Sequence, residues 1–307
     1  MFHKILVATD FSDHANAALA QAVWVASRSG GEITLAYVVT DLATAAAEVS
    51  FDIRHEIMAG HIDKVREELR HLCRERLEEQ LAPFRSAGVT LRHETMLGTP
   101  FVEIIRTVQS EGHDLVLPGT RGLRGVKRFF LGSTAKRLIR KCPSSVWVVH
   151  ASHSWPPKKI VAATDFSDVS WKARRQAAWL AHHAGAELHL LHVLEPAVNE
   201  MTPREAKRVA RQQLDESLKT EGPEAISVSM HLNRSPEPWR SITALAGRID
   251  ADLVAMGTVG RSGVAGVLLG NTAEKVLLSC KCDILTVKPD GFVSPIRLGY
   301  VPHRAEK

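Results

Sequence analysis

Apolar residues fall along this chain in two alternating rhythms. "KILVAT" (4–9) is a continuous apolar run of strand length. In "SDHANAALAQAVWVASRSGG" (12–31) apolar residues recur every three or four positions up to a Gly-Gly stop, the spacing of an amphipathic helix. "EITLAYVV" is the next strand, and "IDKVREELRHLCRERLEEQLAPF" is a charged amphipathic helix. "VTLRHETM", a helix opening at "TPFVEIIRTVQ", "DLVLP", a Gly-rich loop, "STAKRLIRK" and "SSVWVV" complete the series by residue 150. The plan is then written again, ending in "CDILTVKP" (282–289), with "AELHLLHV" (186–193) reading as a strand buried on both faces. Five strands separated by helices predict parallel pairing through right-handed crossovers. Each half is therefore expected to be a five-stranded, parallel, doubly wound α/β sheet of Rossmann-like type.

The second plan is a copy of the first. "ATDFSD" at 8–13 returns at 163–168, an offset of 155 that also aligns Gln21 with Gln176, Trp24 with Trp179 and Gly30 with Gly185. Farther on the offset is 138. It sets Pro100 on Pro238, the two "DLV" segments on each other, and Gly119, Gly122, Gly132, Thr134 and Cys142 on Gly257, Gly260, Gly270, Thr272 and Cys280. The first copy thus carries 17 extra residues between about 40 and 95. The expected organisation is a domain at 1–150, a Pro-containing linker, a domain at 157–290 and a tail at 291–307.

Composition narrows the class. Hydrophobic residues make up 45% and charged residues 24% of the 307, enough apolar material for two cores. The net charge of +5 is spread along the chain, which suits anionic small ligands and argues against nucleic acid as a partner. No apolar stretch reaches the length of a membrane span. Four cysteines without a framework pattern point to reduced thiols and a cytoplasmic setting. Cys280-Lys281-Cys282 reads as ordinary residues near a helix end rather than a zinc site. His55, His61, His71 and Cys73 in the extra segment read as solvated helix positions.

Open α/β sheets bind ligands beyond the carboxyl ends of their strands. Asp10 and Asp165 stand there, directly after the first strand of each copy. After the fourth strand come "GTRGLRGVKRFFLGST" (119–134) and "GTVGRSGVAGVLLGNT" (257–272), both Gly-x2-Gly-x9-Gly followed by a small polar residue and a helix. Glycines admit close backbone approach, and main-chain amides at a helix start favour phosphate. Ser12 and Ser167 are expected to cap helices whatever the function. Trp24 and Trp179 read as core and His192 as a packed histidine. From Gly119 to Lys141 the first copy carries eight cations and no acid; from Gly257 to Lys281 the second nets +2. The first copy is therefore expected to be the better site for a triphosphate.

"VATDFSD", "LLHV" (190–193) and "GTRG…LGST" resemble the universal stress protein family over both halves, in the tandem arrangement. The second half is similar to the C-terminal domain of the E-type members. The resemblance implies ATP as ligand, with or without Mg²⁺. It implies Asp10 near the adenine, the Val38 backbone at its edge, Gly119 and Gly122 along ribose and phosphates, and Gly132, Ser133 and Thr134 at the phosphate tail. In the second copy it offers Asp165, Val193, Gly257, Gly260, Gly270, Asn271 and Thr272, where Asn271 departs from the usual Ser or Thr. No nucleophile–base pair stands out, so the expectation is ligand binding that changes conformation or assembly, with at most slow ATP hydrolysis. The competing expectation is a non-catalytic interaction module, an internal pseudo-dimer or a homodimer, whose last strands ("SSVWVV" and "DILTVK") pair with each other or with another chain and whose degenerate second site binds a non-nucleotide ligand. A response-regulator-like phosphoacceptor lacks its paired acid and lysine.

Overall fold

The apolar runs become strands and the three-to-four-periodic stretches become helices. The computed structural model describes residues 1–40, 62–119, 131–150, 155–195, 202–221, 226–259 and 269–298. In the first half these are β1 (Lys4–Ala8), α1 (Asp13–Ser29), β2 (Glu32–Val39), α2 (Ile62–Leu81), β3 (Thr90–Leu97), α3 (Pro100–Glu111), β4 (Leu115–Pro118), α4 (Ser133–Lys141) and β5 (Ser145–Val148). The second half repeats them as β6 (Lys159–Thr164), α5 (Asp168–Ala184), β7 (Glu187–Leu194), α6 (Pro203–Glu221), β8 (Val228–Arg234), α7 (Pro238–Ile249), β9 (Leu253–Gly257), α8 (Asn271–Ser279) and β10 (Asp283–Val287).

All ten strands join one sheet in the order β3-β2-β1-β4-β5-β10-β9-β6-β7-β8. Within each half the neighbours are parallel, and the winding reverses between β1 and β4 and again between β6 and β9. The last strands pair with each other, antiparallel, Leu285 opposite Trp147. Reversal at this seam sends the carboxyl ends of the two halves to opposite edges of the sheet.

Pairing at the seam also changes how the core is divided. Alternate residues of one strand serve opposite faces. Ile5, Val7, Ile160 and Ala162 belong to one apolar cluster, while Leu6, Val161 and Ala163 belong to the other. Each cluster runs through both halves. The apolar material therefore makes one core per face of a shared sheet rather than one per copy.

The seam carries a buried polar centre. The fully buried Asp283 takes hydrogen bonds on Oδ2 from Gln21 Nε2 (2.9 Å) and Trp147 Nε1 (3.2 Å), and on Oδ1 from the His150 main-chain N–H (2.7 Å). Desolvation raises its pKa to about 7 despite these donors. The pseudo-symmetric position holds a smaller pair, Ser145 with Gln176 at 3.1 Å. Gln21 and Gln176, identical in the two copies, thus each reach across to the start of the other copy's last strand. Arg140 of α4 also pairs with Glu274 of α8 across the seam.

Candidate nucleotide crevices

The repeated hexapeptide is a turn that satisfies itself. Thr9 Oγ1 accepts from the Phe11 N–H (3.0 Å), Asp10 Oδ1 from the Ser12 N–H (3.1 Å) and Ser12 Oγ from the Ala15 N–H (3.3 Å). The second copy repeats the ladder with Thr164, Asp165 and Ser167, and Ser167 Oγ also donates to Asp165 Oδ1 at 2.6 Å. Such side-chain bonds hold Phe11 and Phe166 in the left-handed region, at φ 62° and 66°, where a non-glycine residue is uncommon. The two rings then pack on Tyr37 (4.8 Å between centroids) and His192 (4.1 Å). His192 is buried, and its Nδ1 lies 2.8 Å from the Thr164 carbonyl oxygen, a bond that makes Nδ1 the donor. Trp179 is buried, while Trp24 is half-buried against Trp155. The turn spends one oxygen of Asp10; among the described residues Oδ2 has no partner.

Main-chain direction matters as much as the side chains. The Ala36 carbonyl accepts from Thr9 N at 2.9 Å, so its polar groups point toward β1. Two residues on, those of Val38 point the same way, past Ala8, the last residue of β1. Val193 stands at the corresponding position in β7 and, like Val38, is buried.

The leading glycines of the two loops have a packing duty. A Cβ on Gly119 would stand 3.0 Å from the main-chain N of Ala15, and one on Gly257 would stand 2.8 Å from Val169 Cγ1. The first turns of α1 and α5 lie directly on the ends of β4 and β9. The third glycines start helices. Gly132 caps α4 and Gly270 caps α8, neither with a side-chain hydrogen bond to the first turn. Helix-start amides are thus left for another acceptor. The first turn of α4 has no acid, whereas that of α8 contains Glu274.

In the second half six predicted residues, Asp165, Val193, Gly257, Gly270, Asn271 and Thr272, line one cavity of about 370 Å³. Pro238, Ile242 and Met256 contribute apolar lining, and Glu195 lines the cavity as well. Glu195 is the residue that pattern reading missed. Its only signal is its place immediately after the second strand of its half. In the first half Asp10, Val38, Gly119, Gly132, Ser133 and Thr134 stand at the ends of β1, β2 and β4 and at the start of α4. Gly122 and Gly260 lie outside the described residues, as do Arg121, Arg124, Lys127, Arg128, Arg261, His55 and His61.

Part of the first copy's positive charge works elsewhere. Arg140 is taken by Glu274, and Arg137 and Lys141 sit over the Phe101 ring at 4.9 and 5.2 Å. Among the described residues no cluster of His, Cys, Asp or Glu is arranged to hold a metal, and no helix is long and apolar enough to cross a membrane.

These features define a tandem pair of Rossmann-like α/β units, each with a crevice where its winding reverses. Residues 1–150 and 156–288 both match the universal stress protein family. The chain belongs to that family. It is similar to Universal stress protein E of Escherichia coli K12, 28% identical over 97% of this chain and 98% of that one. A homologue of that protein from Haemophilus influenzae is 26% identical over 94% and 98%. The crystal structure of a universal stress protein from Archaeoglobus fulgidus shares the fold, with a TM-score of 0.69 and 23% identity, covering 94% of this chain and 99% of that one.

Proposed function

We infer that the protein is a cytoplasmic binder of adenine nucleotides whose first crevice takes ATP, with or without Mg²⁺, and whose ligand state sets conformation or assembly. One observation carries the reading. At each reversal of winding, a carboxylate, a main chain pointing past the strand end and a helix start without a side-chain cap stand together. In this reading the base sits between Asp10 and the Val38 main chain. Gly119 and Gly122 follow the ribose and phosphates, and the amides of Ser133 and Thr134 beyond Gly132 hold the phosphate tail. In the second crevice Asp165, Val193, Gly257 and Gly260 take the base and ribose in the same way, with Gly270, Asn271 and Thr272 standing where the first crevice takes the phosphate tail. The role is binding, with hydrolysis slow at most.

The lining of the second cavity favours a different ligand there. It carries Asp165 and Glu195 and, among its described residues, no Lys or Arg. Glu195 follows the second strand of its half, where a carboxylate can accept hydrogen bonds from ribose hydroxyls. A nucleoside without a polyphosphate tail fits this charge better than ATP does.

Calorimetric titration of nucleotide-stripped protein with ATP and with adenosine tests both statements. Gly132→Val sets two methyl groups over the amides of α4 and is expected to weaken ATP binding more than about 10-fold, or ~1.4 kcal/mol. Adenosine binding in the second crevice is expected to persist in that variant and to fall in Glu195→Gln. Wild-type protein that binds no ATP at millimolar concentration would overturn the nucleotide reading and leave the interaction-module reading in its place.

A further inference from the structure

We propose that Cys280 and Cys282 form a redox-active dithiol, a modification site that a hydroperoxide closes into an intramolecular disulfide. Their Sγ atoms lie 3.2 Å apart. Cys280 is the extended C-cap of α8 (φ −75°, ψ 143°), and Cys282 directly precedes β10, so the short connection turns both side chains inward. Both are free thiols. Their residual exposures of 7% and 4% admit a small oxidant and hinder bulky reagents.

The two sulfurs are chemically unlike. A hydrogen bond with Cys282 Sγ and others from the main-chain N–H groups of Cys282 and Lys281 reach the Cys280 sulfur. These bonds outweigh its burial and hold its pKa below the usual thiol range. The hydrogen bond to Cys280, burial, and the charges of Cys280 and Asp283 push Cys282 upward. One sulfur is thus prepared to attack and its neighbour to resolve. The remaining cysteines are poor candidates. Burial pushes Cys142 up to about 12 and also raises Cys73. Nor can the first half build such a pair, because Cys142 matches Cys280 but Ser144 stands where Cys282 does.

The chemistry closes in two steps. The Cys280 thiolate attacks one oxygen of the hydroperoxide and the O–O bond breaks; the departing alkoxide or hydroxide takes up a proton, leaving Cys280 as a sulfenic acid. Cys282 then attacks that sulfur, forming the S–S bond and releasing water, with its thiol proton going to the leaving hydroxide. Both sulfurs are oxidised and the peroxide takes both electrons. The product ties the end of α8 to the start of β10, one residue before the buried carboxylate of the seam.

Lys281 makes the test direct, because trypsin cuts between the two cysteines. Full-length protein is treated with equimolar hydrogen peroxide, unfolded, alkylated and digested. Two of the four thiols are expected to disappear, and peptides 276–281 and 282–297 are expected to stay joined until a dithiol reductant separates them. Cys142→Ser should leave the joined pair intact; Cys280→Ser and Cys282→Ser should each abolish it. The wild-type peptide map decides the matter even where a serine variant folds poorly. Four thiols surviving several-fold excess peroxide, oxygen added to Cys280 without the link, or a link to Cys73 or Cys142 would each overturn the proposal.

Discussion

Asp283→Ala is expected to lower stability by about 3 kcal/mol or more, measured by urea denaturation followed through tryptophan fluorescence near neutral pH. The truncation leaves three buried donors from the first half, Gln21 Nε2, Trp147 Nε1 and the His150 N–H, with no acceptor. Each such orphan costs about 1–3 kcal/mol. Asp283→Asn keeps the shape but turns an amide N–H toward one of those donors, so an intermediate loss is expected. Unchanged stability in the alanine variant would mean that the seam is held by β5–β10 pairing and apolar contact alone.

The same carboxyl sets a pH dependence. Its folded pKa, about 7, lies above the ordinary value of 3.8, so the fold favours the protonated form. Stability from this group is fully present below about pH 4 and is lost as pH rises to about 7. At ~1.4 kcal/mol per unit the whole span corresponds to about 4 kcal/mol. His150, with Nδ1 at 3.9 Å, Asp252 and Cys282 are the titratable groups that face it. A neutral carboxyl also suits Gln21, whose buried Oε1 has no partner; rotating that amide would let Asp283 donate to it. Asp283→Asn is expected to flatten the slope between pH 4 and 7. If the slope persists, it belongs to another group.

Arg174→Leu is expected to stabilise the protein by about 1–4 kcal/mol, raising the melting temperature by several degrees. Arg174 is 1% exposed on α5, and none of its three guanidinium nitrogens has a hydrogen-bond partner among the described residues. Burial pulls its pKa down to about 10, with Asp165 and Glu216 opposing, so it stays charged at neutral pH. The first copy has Leu19 at this position, fully buried in the apolar cluster. The substitution therefore writes the first copy's solution into the second. A drop in melting temperature would instead assign Arg174 a buried anionic partner. Adenosine titration of the same variant reads whether Asp165 depends on the nearby positive charge.

Local features were legible in the chain because local chemistry decides them. Ser12 and Ser167 announce helix starts through their own main-chain bonds, and Gly30 and Gly185 end those helices in the left-handed conformation that glycine adopts without cost. Continuous apolar runs announced strands covered on both faces. The crevice residues could be picked out because winding order alone brings the ends of the first, second and fourth strands together. Three matters were less legible. Gly119 and Gly257 read as ligand contacts, but they first make room for the starts of α1 and α5. In the basic stretch Arg137 and Arg140 read as a solvated helix face, but both, with Lys141, are engaged with Phe101 and Glu274. Glu195 carried no motif, and only its position beside the cavity draws attention to it.

Taken alone, the amino-acid order determined two copies of one α/β plan, the self-satisfying turn that opens each, and the differences between their loops. These depend on neighbours a few residues apart or on a repeat that can be counted. Tertiary structure decided how the copies meet. The last strands could have paired with each other or with another chain, and composition does not distinguish the two. The choice rests on contacts such as Gln21 with Asp283, 262 residues apart, and on a shared core that no single strand displays. That antiparallel seam places the two crevices on opposite edges of one sheet, a relation set by strand direction rather than by any residue within either crevice.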